Sequence, residues 1–328
     1  VVSALKDSPA YQAGIRSGDF IEYIGKLPTR ELSLYDIEQL LNGQPGTAVE
    51  LRIVHRGQSR KVNLTRAKIS QPAVEVRVEE PGIGYVKVNN LVEGRANEIR
   101  TQVRDLVAKG AQKIVLDLRD SSDGVLKEGV AVANLFVGSG TLARVIGKGG
   151  KESQSFEADA GKVVFTGPLV VVTDRSTAGP AEIIAAAVRD QKRGEVVGEK
   201  TFGAGSEQQL FSLSDGGALL ITTAKYAPNS GKPFMDEPVN PTVKVERPAE
   251  AEVVVPEGND EQGPDEENAE PQPPAPKPEQ PAEDVQLKKA IEILKQATVK
   301  AQAAQKRAAA MGLSYIPAAG AFESVVRM

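Results

Sequence analysis

The stretch Leu169-Val170-Val171-Val172-Thr173-Asp174-Arg175-Ser176-Thr177-Ala178-Gly179-Pro180-Ala181-Glu182 decides the fold class of this chain. Four apolar residues in a row, three of them β-branched, suit a strand covered on both faces. Small and polar turn residues follow, and Pro180 then stands where a helix running to Arg189 accepts proline most readily, at its first position. A strand, a tight turn and a helix aim backbone N–H groups at a bound anion or oxyanion, so this turn is where chemistry is expected.

The same grammar extends outward on both sides. Ile114 to Leu118 is a second buried strand leading into Arg119, and Gly84 to Val88 a third. Helices are expected over Gly94 to Ala108, with Ile99, Val103, Leu106 and Val107 inward, and over Lys127 to Leu135. Val196-Val197-Gly198 and Leu219 to Tyr226 add β-structure, giving an α/β core over residues 81–246.

Residues 1–67 read differently. Short β-runs alternate with turns, among them Ser8-Pro9-Ala10, Ala13-Gly14-Ile15 and Ser17-Gly18-Asp19-Phe20-Ile21. Ser33 caps a helix to Leu41 whose Leu34, Ile37, Leu40 and Leu41 share a face. Ala48 to Val54 and Ser59 to Leu64 form a hairpin turning at Arg56-Gly57. Residues 68–80 are expected to link this domain to the core. From Pro248 to Asp284 there are twelve acidic residues, one basic residue (Lys277) and nine prolines, so this stretch carries −11 and the remainder +7 of the net −4. Such composition cannot offset chain entropy, and 247–284 is expected to be a disordered spacer. An amphipathic helix is expected over 285–311, with Leu287, Ala290, Ile291, Leu294 and Thr298 at helical spacing, then Gly312 and a tail to residue 328.

Composition narrows the chemistry. The 328 residues suit about two domains plus non-globular sequence. No apolar run approaches the roughly 20 residues of a spanning helix. Aromatic residues make up 4% of the chain and Trp is absent, so a base-stacking nucleic-acid surface gets no support. There is no Cys and one His, His55, which excludes a Cys nucleophile, thiolate zinc and a multi-His metal site. A Ser/His triad would need His55, which the hairpin places on the surface of the N-terminal domain. No metal or cofactor is expected. The chain opens on Val without a charged and apolar leader, as if a leader had been removed or the chain cut.

The N-terminal series resembles a PDZ domain of the bacterial type, a module that binds chain termini by strand addition. In that family the carboxylate loop lies upstream of the segment where this sequence opens, so an incomplete groove is expected. The whole series resembles the carboxy-terminal processing, or tail-specific, proteases: Leu116-Asp117-Leu118-Arg119, Ser176-Thr177-Ala178 before a helix containing Glu182, Gly198-Glu199-Lys200-Thr201-Phe202-Gly203, Thr222-Thr223-Ala224-Lys225-Tyr226, and Pro241. The resemblance implies an α/β, crotonase-like (ClpP/crotonase) core, an N-terminal β-rich PDZ domain, and a Ser/Lys-dyad endopeptidase that is periplasmic or secreted. It also implies polypeptide C-termini or unfolded segments as ligands, with no nucleic acid, no membrane span, and homo- or hetero-oligomers as an option.

The residues at the implied catalytic positions depart from the family. Its Ser position is Gly179 and its Lys position Ala204, while Gln208 keeps the family Gln. One oxyanion donor falls on Pro180, which has no N–H. The other loop, Asn-Pro-Gly-Gly in the family, is Ser121-Ser122-Asp123-Gly124 here, with an acidic residue at its third position. A Ser hydroxyl needs an adjacent base, and neither Gly nor Ala supplies one. The expectation is a pseudoenzyme that binds peptides without proteolysis. The alternative is an active serine endopeptidase with a displaced dyad, Ser176 or Ser206 acting with Lys200. Ser176 and Thr177 otherwise read as turn residues, Ser206 as a turn polar group, and Lys200 as a strand-end surface charge.

Overall fold

The computed structural model describes residues 1–5, 8–55, 57–69, 72–214, 217–247 and 283–296. The N-terminal domain begins with α1 (Pro9–Gln12), where the Ser8 hydroxyl accepts from the Tyr11 N–H at 3.1 Å and Pro9 takes the first helical position. Then come β1 (Phe20–Ile24), β2 (Leu27–Pro28), α2 (Leu34–Leu41), β3 (Ala48–His55) and β4 (Gln58–Thr65), with the strands ordered β2-β1-β3-β4. Ser33 caps α2 as expected. Its Oγ accepts from the Asp36 N–H at 3.1 Å, and the Asp36 carboxylate accepts from the Ser33 N–H at 3.2 Å. Ile37, Leu40 and Leu41 pack on Ile15, Ile24, Leu51, Ile53 and Val62, whereas Leu34 stands exposed.

His55 is half-exposed rather than free on the surface. Its Nδ1 lies 2.5 Å from Oδ1 of buried Asp19, joining the hairpin to the Gly18-Asp19 turn.

The core runs β5 (Val74–Glu80), β6 (Ile83–Val88), α3 (Arg95–Ala108), β7 (Lys113–Asp117), α4 (Leu126–Asn134), β8 (Thr141–Ile146), β9 (Glu152–Glu157), β10 (Leu169–Thr173), α5 (Pro180–Asp190), β11 (Glu195–Gly198), β12 (Ser206–Ser212), β13 (Ala218–Ala227) and β14 (Val243–Lys244). A final helix, α6, occupies 285–296. One six-stranded sheet has the order β14-β11-β10-β7-β6-β5, parallel except for β5. A four-stranded antiparallel sheet has the order β12-β13-β8-β9.

Both faces of the parallel sheet are covered, which explains its unbroken apolar runs. Ile114, Leu116 and Val171 face a core shared with Ile99, Val103 and Leu106 of α3, Val132 of α4 and Ile183 of α5. Their neighbours Val115, Val170 and Val172 face Leu287, Ala290 and Leu294 of α6. Val107, expected inward on α3, is 40% exposed.

Polar contacts seat α6 on the sheet. Asp284 takes the Arg119 guanidinium through two 2.8 Å contacts. Gln286, fully buried, donates to the Val245 carbonyl at 2.8 Å and accepts from Arg247 at 3.3 Å. Arg119 also grips Asp117, which accepts from the Tyr85 hydroxyl at 2.7 Å. Burial alone would raise the Asp117 carboxyl, but Lys87 and Arg119 outweigh it and hold that group well below the usual carboxylate range.

Three expectations change. The linker expected over 68–80 contains β5, which pairs with β6 from Val74 opposite Val88 onward. Val74-Glu75-Val76-Arg77-Val78 has the two-residue period of a half-covered edge strand, so the core begins near residue 74. Ser206 opens β12 rather than a turn, because its segment is held across the sheet by β13. Strands β8 and β9, absent from the sequence reading, complete that second sheet. Of the spacer expected over 247–284, Arg247 and Asp284 are held against the core by Asp174 and Arg119, and residues 248–282 lie outside the described residues, as do the expected helix from 297 onward, Gly312 and the tail.

Leu294 is 1% exposed in the α6 contact. Leu294→Ala is therefore expected to lower unfolding free energy in denaturant by about 2–4 kcal/mol. A loss below about 1 kcal/mol would mean that α6 does not cover this face in solution.

Candidate active site

The site is built at the carboxyl ends of β7, β10 and β11, where three loops meet. Gly179 caps α5 with φ 58° and ψ −121°, a conformation that costs a side-chain-bearing residue steric energy. A Cβ placed on Gly179 would stand 3.7 Å from the Ala204 carbonyl oxygen. Residues 179 and 204, distant in sequence, thus adjoin.

A single buried carboxylate brings them together. Glu182 is fully buried in the first turn of α5. Its Oε2 accepts from the N–H groups of Gly179 at 3.0 Å and Ala204 at 2.9 Å. Its Oε1 accepts from the Gly203 N–H at 2.9 Å and the Thr201 hydroxyl at 2.5 Å. Burial pushes this carboxyl above its ordinary pKa, while the four donors pull against that rise. Thr201 is fixed in turn, its Oγ1 accepting from the Val239 N–H at 2.8 Å.

The second loop is laced to the first. Ala178 N–H donates to the Ser121 carbonyl at 2.9 Å, and the Thr177 hydroxyl donates to the Leu118 carbonyl at 2.9 Å. Gly124 has φ 138°, and a Cβ there would lie 2.3 Å from the Leu91 carbonyl oxygen, so only glycine fits. Asp123 keeps this register through its carbonyl, which accepts from the Leu91 N–H at 2.7 Å, while its residue as a whole is exposed. Pro180 is buried against α4, where a Cβ on Gly129 would come within 2.5 Å of its carbonyl oxygen.

The remaining candidates do not converge. Ser176 is buried, its N–H donating to Asp174 at 3.0 Å, whereas Lys200 is exposed. Ser206 lies at the start of β12, with Lys225 as its cross-strand neighbour. Among the described residues no hydrogen bond joins Lys200 to either serine. Gln208 sits on the exposed part of β12, donating at 3.5 Å to Thr222.

Asp174 was not singled out from sequence. Its carboxylate accepts from the Ser176 N–H at 3.0 Å and the Asp120 N–H at 3.2 Å, lies 3.0 Å from the Thr177 hydroxyl oxygen, and pairs with Arg247 at 2.5 Å. Burial and the neighbouring Asp120 outweigh Arg247 and push its pKa up to about 6. The folded form therefore binds this proton more readily than the unfolded chain, and stability from this group falls as pH rises from about 4 through about 6. Asp174→Asn is expected to gain on the parent by about 2 kcal/mol in unfolding free energy between pH 4.5 and 7. Parallel pH profiles for the two proteins would contradict this assignment.

The comparisons with known proteins bear on the family and the fold. The family described as Peptidase family S41 matches residues 82–245, and a PDZ domain matches residues 1–54. The chain is 35% identical over 235 residues to carboxyl-terminal-processing peptidase 2, chloroplastic, of Arabidopsis thaliana, covering 69% of this chain and 45% of that protein. It is 34% identical over 232 residues to the carboxyl-terminal-processing protease of Synechocystis sp., covering 69% and 54% respectively. A solved photosystem II D1 C-terminal processing protease superposes with a TM-score of 0.69 at 30% identity, covering 75% of this chain and 68% of that one. The chain spans about half the length of the curated relatives it matches.

Proposed function

Because the chain belongs to peptidase family S41, the carboxyl-terminal processing proteases, we propose that it is a catalytically silent member that holds extended or carboxy-terminal polypeptide segments without cleaving them. One observation carries the reading: Gly179 and Ala204 adjoin in the site, and neither has an atom that can attack a carbonyl or take a proton. The transition state would be unsupported too. Pro180 has no N–H to offer an oxyanion, and the Gly179 N–H is already given to Glu182. Loss of one oxyanion donor costs on the order of a hundredfold or more in rate.

The displaced dyad has less support. Lys200 is exposed, and buried Ser176 makes no hydrogen bond to it. Binding, by contrast, needs no nucleophile. PDZ domains hold extended chains by adding them as a strand, and residues 1–54 match that domain. The name of the Arabidopsis relative places that protein in the chloroplast, and a periplasmic or secreted location is proposed for this chain by family resemblance. No helix among the described residues is long and apolar enough to cross a membrane.

The parent protein is expected neither to cleave unfolded polypeptides nor to react with a fluorophosphonate. Gly179→Ser with Ala204→Lys should restore trace cleavage at most. Adding Pro180→Ala and Asp123→Gly should raise single-turnover rates by a further factor on the order of a hundred, most of it from position 180, since Asp123 is exposed. Parent activity abolished by Ser176→Ala, Ser206→Ala or Lys200→Ala would overturn the proposal in favour of a displaced dyad.

A further inference from the structure

Every residue of 207–213 and of 217–223 is exposed, so the outer parts of β12 and β13 stand clear of the core as a two-stranded ribbon. Its register puts Leu210 opposite Leu220 on one face, and Phe211 opposite Leu219 with Gln209 opposite Ile221 on the other. The apolar side chains are far from buried: Leu210 is 64% exposed, Leu219 and Leu220 each 47%, Ile221 46% and Phe211 42%. Apolar surface gathered in one place marks an interaction site, and an isolated two-stranded ribbon is marginal in water.

The edge of the ribbon is equally unguarded. β12 is the terminal strand of its sheet, and its outer edge has no partner among the described residues. Lysine, proline and bulges usually blunt such edges. Ser206–Ser212 contains no Lys or Pro, its sole charge is Glu207, and its one irregularity lies at the inner end, between Glu207 and Gln208.

We propose that this edge pairs with β12 of a second copy of the chain, antiparallel about a two-fold axis through Leu210. The sequence is self-complementary in that register. Leu210 meets its own copy, giving a continuous row Leu220-Leu210-Leu210-Leu220 on one face. Gln209 meets Phe211 of the other copy, giving the row Leu219-Phe211-Gln209-Ile221 on the opposite face. Glu207 falls opposite Leu213, so the two like charges are kept apart. The result is a four-stranded sheet, above the size at which sheets with an apolar face persist in water. A free peptide would supply a single strand and would lose its conformational freedom on binding, whereas a second ribbon brings two strands already paired in register.

Because the chain has no cysteine, one substitution gives a specific probe. Directly opposite residues have Cβ atoms about 4.5–5.5 Å apart, close to disulfide reach. Under mild oxidation the full chain carrying Leu210→Cys is expected to form a covalent dimer about tenfold faster than the chain carrying Lys148→Cys, an exposed control site. The parent should sediment as a concentration-dependent dimer, and Leu210→Glu, which places like charges on the axis, as a monomer with unchanged circular dichroism. Equal cross-linking at positions 210 and 148 would overturn the proposal, as would a parent that stays monomeric at about 100 µM. So would a monomeric parent whose capture of unfolded casein is lost in Leu210→Glu, which would assign the edge to a polypeptide strand instead.

Discussion

The N–H groups of Gly179 and Ala204 meet on one oxygen of Glu182, and the layout of the candidate site depends on that meeting. The carboxylate is fully buried, and among its donors Gly179 and Thr201 are buried with it. An unsatisfied buried N–H costs about 1–3 kcal/mol, which Glu182 prevents at Gly179, while it also takes the Thr201 hydroxyl and the part-buried N–H groups of Gly203 and Ala204. The arrangement uses only main-chain donors at 179, 203 and 204. What holds 179 and 204 together is therefore independent of the side chains at those two positions.

The same division between what shapes the site and what would react there holds further out. Alternate residues of β7 and β10 feed two apolar cores, one against α3, α4 and α5 and one against α6. Burying a large apolar side chain is worth about 1.5–3 kcal/mol, so Leu287 and Leu294 outweigh what the Arg119–Asp284 pair can add net of desolvation. The ion pair and Gln286 fix where α6 lies. They also connect α6 to Arg247, and through it to Asp174 and the loop that leads into Gly179.

Much of this was legible in the sequence, for identifiable reasons. Parallel strands announce themselves through unbroken runs such as Leu169–Val172, and the helix start through Pro180. The ordered motifs singled out residues 179 and 204 as the positions the resemblance implies for the dyad, and in the structure these two residues adjoin. Strand β5 was hidden because alternation over five residues resembles a polar linker, and β12 because Ser206-Glu207-Gln208-Gln209 has no apolar member. Glu182 was visible as a motif residue, but its role required the return of residues 201–204, which only the sheet supplies. Asp174 and Arg247 are partners across 73 positions, a separation at which no local pattern signals contact.

The proposed function implies that the backbone of a Ser/Lys site persists where its reacting side chains are absent. The most direct measurement is the crystal structure of the Gly179→Ser, Ala204→Lys variant. The account predicts an unchanged backbone, Glu182 still accepting from residues 179, 203 and 204, and the introduced hydroxyl and amine within about 2.6–3.2 Å of each other. A refolded 174–179 turn, or an introduced lysine that cannot reach the serine while Glu182 keeps its hydrogen bonds, would contradict it.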